Sequence, residues 1–596
     1  MIGAERDGDE ARFRVWAPDH DRIDLVFYRT DGTTMLGWQR MEAGDDGYFT
    51  AATEALPRLL YKYRPGGGEP VPDPAARAQP FGVHGPSEAI DTRFAWTDDG
   101  FVGVAPDRLV IYEAHVGAAT PVGTFEALAA RLGHVKALGA TAIELMPVAS
   151  FPGARNWGYD GVCLFAPQRN YGGPTGLRRF VDAAHRAGLA VILDVVYNHL
   201  GPEGNYLRRF ASGYFTARHQ TPWGDAVDFS ARPVRDFFLE NAAMWIRDYH
   251  LDGLRLDATH AIFDDGQPHI AGEIAERARA AGAGRTVVVI AEDERNERRL
   301  VAPIAEGGCG LDAVWADDFH HELRRALTGD REGWFADYDG GAAQIAATIE
   351  RGWLYHGQIA PHTGSPRGTP SDGLAPSKFV FCIQNHDQVG NRAAGERLSA
   401  VVTPAAYRAA STLLLLAPET PLVFMGQEWN AATPFLYFTD HPAELGRLVS
   451  EGRRAEFRAF ASFTGEVPDP QSRRTFERSV LRWDELGAPK HAGVFALYRE
   501  LLRLRAEHPA LVARARHAVE VSAVGPAAVA VHYQGEAGEL LVIVNLAGAL
   551  RHRPRGTWRP RLYSEEARFG GALDDKGLWN GVARLDGAGA VVLERR

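Results

Sequence analysis

The period of the apolar positions changes along the chain. From residue 1 to about 90 apolar and polar residues alternate through RFRVWAP, RIDLVFYR and LLYKYRP, with Asp-Gly and Gly-Gly turns between them and no helical period. This predicts a small β-sandwich over 1–90. GGGEPVPDPAARAQPFGVHGP, rich in Pro and Gly, reads as a linker or a long packed loop. From about 108 short continuous apolar runs alternate with amphipathic stretches, the pattern of parallel strands joined by helical crossovers. The eight runs are LVIYE, TAIELMP, AVILDVVYN, DGLRLDA, TVVVIAED, LDAVWAD, FVFCIQNHD and PLVFMGQEW. Among the intervening helices, TFEALAARLGHVKALG is expected to be continuous and to stop at Gly139. RPVRDFFLENAAMWIRDYH opens with a favoured Pro233. AGVFALYRELLRLRAEHP, near 492–509, reads as the last long helix before the strands AVAVHYQ and ELLVIVNLAG.

The expected fold class is α/β: a (β/α)8 TIM barrel over residues 91–510, between an N-terminal β-sandwich domain (1–90) and a C-terminal one (511–596). Closure buries both faces of every strand, which accounts for continuous rather than alternating apolar runs. An open doubly wound sheet is the rival, but no GxGxxG or GxxxxGK[ST] stands at any strand-to-helix turn.

Composition narrows the partners. The 596 residues carry 65 Lys+Arg against 76 Asp+Glu, a net charge of −11, which argues against nucleic acid or an anionic membrane as partner. Cys163, Cys309 and Cys382 are odd in number and far apart, neither a disulfide framework nor a zinc site, so a cytoplasmic location is expected. Cys382 reads as a small buried hydrophobe. The N-terminus lacks a basic head with an apolar run behind it, and no stretch reaches the ~18 apolar residues of a membrane span.

The chemistry gathers where apolar runs end in ionisable residues: DVVYNH, GLRLDATH, VIAEDERN and QNHDQ. In a closed barrel such ends converge on one rim, and these four are expected at successive barrel positions. They offer the carboxylates Asp257, Glu292 and Asp387, with Arg255, His199 and His386 around them. Paired carboxylates across a cleft suit glycoside cleavage, one attacking while the other, kept protonated, serves the leaving oxygen. Arg255 and Asp257, two apart on a strand, share a face, so the guanidinium would hold the aspartate ionised. The two imidazoles could donate to sugar hydroxyls. HHELR, at His320, His321 and Glu322, lacks the second His of HExxH because Arg325 stands there, and no calcium loop is evident. No metal or cofactor is therefore expected. Trp157, Tyr206, Phe319, Trp429 and Tyr437 could stack on sugar faces, although each alone is more often core.

These four segments resemble the four sequence regions of the α-amylase family of glycoside hydrolases, and the match runs the whole chain, from an immunoglobulin-like N-terminal domain to the β-rich C-terminus. The resemblance implies that Asp257 is the nucleophile, Glu292 the general acid/base, and Asp387 a third carboxylate engaging hydroxyls of the distorted sugar. It makes His199, Arg255 and His386 residues of the subsite that holds the reacting sugar. Asp194 and Asn198 would order a strand end, and Tyr159 in NWGYDG would lie under the reacting sugar. HLGPEGNYL, LRLDATHAI, FHHELRRALTGDREG, IQNHDQVGNRAAGERL and PDPQSRRTFERSVLRW resemble the branch of the family that cuts the α-1,4 bond beside the terminal trehalose of maltooligosyl trehalose, with retention. Thr259, His260 and Arg392 are candidates for trehalose contacts. Debranching or branching specificity, or an inactive glycan-binding relative, remain alternatives; loss of a carboxylate would mark the last, and all three are present.

Overall fold

The computed structural model describes residues 2–221, 223–458, 466–513, 515–535, 538–573 and 579–595. At the N-terminus one four-stranded sheet has the order Gly3–Asp7, Glu10–Trp16, Tyr48–Glu54, Glu42–Ala43. The other runs Met35–Arg40, Ile23–Tyr28, Leu59–Pro65, Ser87–Ala89. Their inward residues, among them Phe13, Leu25, Phe49 and Tyr61, form one core, which Phe210 joins from a loop of the barrel. Alternation in the sequence thus becomes one packed face per sheet.

Eight parallel strands then close into a barrel: Ile111–Ala114, Ala142–Leu145, Ala190–Val195, Gly253–Leu256, Val288–Glu292, Ala313–Trp315, Phe379–Cys382 and Thr420–Phe424. Six lie wholly within the apolar runs, and the first and the eighth overrun theirs by one residue, Ala114 and Thr420. Alternate residues, including Ile111, Ala142, Ile192, Ile290, Val380, Cys382 and Leu422, pack together in one cluster, and the intervening ones pack with the larger cluster that includes the surrounding helices. Cys382 is therefore the small buried hydrophobe expected of it.

At the C-terminus Val519–Gly525, Ala528–Gly535, Gly538–Asn545, Gly589–Arg595 and Trp558–Tyr563 form a five-stranded sheet, and Leu550–His552 pairs with Ala583–Leu585. Arg408, on the barrel helix Pro404–Leu416, pairs with Glu565 at 2.9 Å and ties the two units together. Among the described residues no helix is long and apolar enough to cross a membrane.

Two expectations need correction. TFEALAARLGHVKALG is two helices, Phe125–Ala129 and Leu132–Leu138, because the Arg131 N–H turns back to Leu128 O and the ladder restarts from Arg131 O. Gly139 does end the second, at φ 105°, a left-handed conformation open to glycine. The four polar strand ends also do not sit at successive positions. They belong to the third, fourth, fifth and seventh strands, and Ala313–Trp315 pairs with both the fifth and the seventh.

Candidate active site

The site is built around one buried guanidinium. Arg255 faces inward on the fourth strand with a fully buried side chain. A buried cation is costly unless several partners compensate, and here they come from three strands. Nη1 donates to both oxygens of Asp194 at 2.8 Å and to Asp257 Oδ1 at 2.7 Å, and Nη2 lies 2.8 Å from Glu292 Oε2. Asp257 and Glu292, 35 positions apart in sequence, thus meet on one side chain. Its Cζ atom also sits 4.4 Å from the ring centroid of Trp315, on the sixth strand.

Each carboxylate is further fixed. Asn198 Nδ2 donates to Asp257 Oδ2 at 2.7 Å and to its backbone carbonyl at 2.9 Å. Ala258 takes a left-handed conformation at φ 40°, unusual for a residue with a Cβ, and its N–H reaches Glu292 Oε2 at 2.8 Å. Asp387 accepts from Asn391 Nδ2 at 3.0 Å and lies 3.3 Å from His386 Nε2.

Electrostatics separate the carboxyl groups. Burial, with Asp257 and Asp387 nearby, pushes Glu292 well above the ordinary glutamate range against the opposing pull of Arg255. Burial alone would raise Asp387 too, but His386, Arg255 and Asn391 hold it at about 2. Burial would discharge His386, yet Asp387 and Glu113 outweigh it and raise its pKa well above 6.5. One carboxyl is thus kept protonated beside another kept ionised, the division of labour that acid–base chemistry at neutral pH requires.

Tyr159, in the loop after the second strand, donates its hydroxyl to Asp194 Oδ2 at 2.6 Å, and its ring stacks on His386 with centroids 5.2 Å apart. Tyr159, Asp194, Asn198, His199, Arg255, Asp257, Glu292, His386 and Asp387 therefore form one network. His260 is exposed on the following loop, and Arg392 pairs with Glu396 and, at 3.5 Å, with Asp330.

The imidazoles do not behave as expected. His199 Nε2 is engaged by Tyr159 O at 2.9 Å and Nδ1 by Asn198 Oδ1, while His386 has Glu113 on one nitrogen and Tyr159 with Asp387 on the other. Neither ring has a nitrogen left for a sugar. Thr259 likewise bonds Glu292 O at 2.9 Å and Asp293 Oδ2 at 2.8 Å, which makes it a brace for the fifth strand end. Of the proposed stacking aromatics, Trp157, Phe319 and Trp429 are core residues, and Tyr206 and Tyr437 are half-buried.

Three participants escaped the sequence reading. Glu113 and Glu144 are register partners on the first two strands, both buried, at the parity of Ile111 and Ala142 that faces inward. Trp223, half-exposed between the third and fourth strands, stacks on His199 with ring centroids 3.5 Å apart. Spacing by two along IYE and AIEL would have revealed the first pair. His320, His321 and Glu322 are buried on the helix Asp317–Thr328, and among the described residues no group of His, Cys, Asp or Glu could hold a metal.

A closed parallel barrel with an Arg-centred carboxylate network on its rim defines a glycoside hydrolase of the α-amylase type. The family model "Alpha amylase, catalytic domain" matches residues 92–243. A malto-oligosyltrehalose trehalohydrolase of Deinococcus radiodurans is 48% identical over 85% of this chain and 83% of its own length. One from Saccharolobus solfataricus is 42% identical over 85% and 87%. A crystal structure described as a putative α-amylase from Salmonella typhimurium superposes with a TM-score of 0.90 at 37% identity, covering 100% of both chains. The chain belongs to the malto-oligosyltrehalose trehalohydrolase family.

Proposed function

We propose that this protein hydrolyses the α-1,4-glucosidic bond next to the terminal trehalose of maltooligosyl trehalose, releasing trehalose with retention of configuration. The observation that carries the chemistry is Arg255 holding Asp257 and Glu292 at once, at 2.7 and 2.8 Å. Protonated Glu292 serves the leaving trehalose oxygen while Asp257 attacks the anomeric carbon, breaking the bond to that oxygen and forming a glycosyl ester. Glu292, now a carboxylate, takes a proton from water, which attacks the ester and frees Asp257. Asp387, ionised beside His386, accepts hydrogen bonds from hydroxyls of the distorted sugar. The substrate assignment is supported by the names of the relatives, and three buried, unpaired thiols support a cytoplasmic location.

The protein is incubated separately with maltotriosyl trehalose, a branched glucan and linear maltodextrin, and the products are separated. Trehalose from the first alone is the expected result. Shortened branches or new α-1,6 linkages would overturn the reading in favour of debranching or branching.

A further inference from the structure

The reaction above uses three carboxylates on the rim and leaves Glu113, below them, without a task. Its two oxygens both go to one residue. Oε2 accepts the His386 backbone N–H at 3.0 Å and Oε1 faces His386 Nδ1 at 2.5 Å. Such a two-point clamp fixes both the ring and the start of the short helix His386–Gly390, which also carries Asp387.

Resting on the function just proposed, we propose that Glu113 is a positioning residue for the reaction, clamping His386 as an imidazolium and, through it, holding Asp387 in place against the sugar.

Hydrogen-bond logic supports a doubly protonated ring. Nδ1 faces a carboxylate, which can only accept. Nε2 faces Asp387 and the Tyr159 oxygen at 2.7 Å, and the Tyr159 proton is already committed to Asp194. Both nitrogens must therefore carry hydrogen.

The other groups around the ring agree with this. Arg255 on the fourth strand is occupied by Asp194 and Asp257. His115, after the first strand, is held neutral at about 4, by burial first and His386 second. Glu144 has neither oxygen bonded, and burial, with Glu113 and Asp194 nearby, raises it well above the ordinary range, which favours its uncharged form. Asp194 is bound by Arg255 and Tyr159. That leaves Glu113 and Asp387 as the two anions in contact with His386, and removal of Glu113 leaves a buried ring with one counter-charge.

Two measurements test this on the full chain. The first is 15N chemical shifts of the His386 ring across pH 6 to 9, which needs no substrate. The wild type is expected to remain an imidazolium through neutral pH; a neutral ring at pH 7 would overturn the proposal whatever any variant does. The second compares Glu113→Gln and Glu113→Asp on maltotriosyl trehalose. Glu113→Gln is expected to lower kcat by about 10²-fold with a smaller change in KM, to move the basic limb of the pH profile to lower pH, and to let the His386 ring titrate near neutrality. Glu113→Asp, which retains the charge, should restore the imidazolium and part of kcat. A fall in kcat with His386 still an imidazolium in Glu113→Gln, or an unchanged kcat and pH profile, would refute the role. If the wild type released no trehalose, the proposed function would fail, while the ring measurement would still decide the state of His386.

Discussion

Asn198 grips Asp257 twice, through the side-chain oxygen Oδ2 at 2.7 Å and the backbone carbonyl at 2.9 Å. Its amide leaves the aspartate one oxygen tied to Arg255 and one tied to Asn198, so the group proposed to attack is held in both direction and height above the rim. Asn198→Ala should therefore lower kcat by about 10²-fold, the scale set by a misplacement of about 1 Å, with little change in fold. Steady-state kinetics with a circular dichroism control checks it.

The proposed mechanism gives Asp257 and Glu292 separable tasks, and leaving-group chemistry distinguishes them. Asp257→Ala should abolish turnover of every substrate. Glu292→Gln should lose more than about 10²-fold on maltotriosyl trehalose, yet retain ester formation with a glycosyl fluoride, whose leaving group needs no proton. Rapid-quench detection of the covalent intermediate in Glu292→Gln provides the measurement. Equal loss on both substrates would count against Glu292 as the acid.

The raised pKa of Glu292 has a signature in stability. A carboxyl raised above its unfolded value of about 4.3 binds its proton more tightly when folded, so its contribution is complete below that pH and is lost as pH rises toward the folded value. Glu292→Gln, which cannot ionise, should gain stability relative to wild type as pH rises through this window. Removing the negative neighbour in Asp257→Asn should lower the Glu292 pKa. Denaturant melts at several pH values test the first, and 13C NMR titration of the carboxyl tests the second.

Gly390 sits under Trp157. A Cβ at that position would lie 2.1 Å from the indole ring atoms, and Trp157 is itself tied to Leu436 O at 2.9 Å and packs edge-on to His386, with centroids 5.7 Å apart. Gly390→Ala should cost about 1–3 kcal/mol through overpacking and also depress activity, because the displaced indole pushes on the imidazole. Chemical denaturation and kcat/KM together give both numbers.

The barrel was legible because strands buried on both faces write themselves as unbroken apolar runs, and the rim was legible because those runs end in charge. Less legible was charge inside a run. Glu113 and Glu144 stand in IYE and AIEL, where a single carboxylate among apolar neighbours looks like a strand end; only the parity of the closed sheet turns both inward. Chain order already placed LDAVWAD between the fifth and seventh runs, but not that its end at Trp315 supplies a ring rather than a carboxylate to the Arg255 network. Local hydrogen bonding decided the imidazoles: the sequence places His199 and His386 at the site but says nothing of Tyr159 O and Glu113 occupying their nitrogens.

The contact between Ala258 and Glu292 has a stereochemical consequence. Oε2 already receives the Ala258 amide and faces the Arg255 guanidinium, so a hydrogen placed there would meet two donors. The acidic hydrogen is left to Oε1, which makes the two oxygens of one carboxyl unequal before any sugar arrives. In the proposed reaction, the hydrogen for the departing oxygen then comes from Oε1 alone, a choice made by a backbone amide.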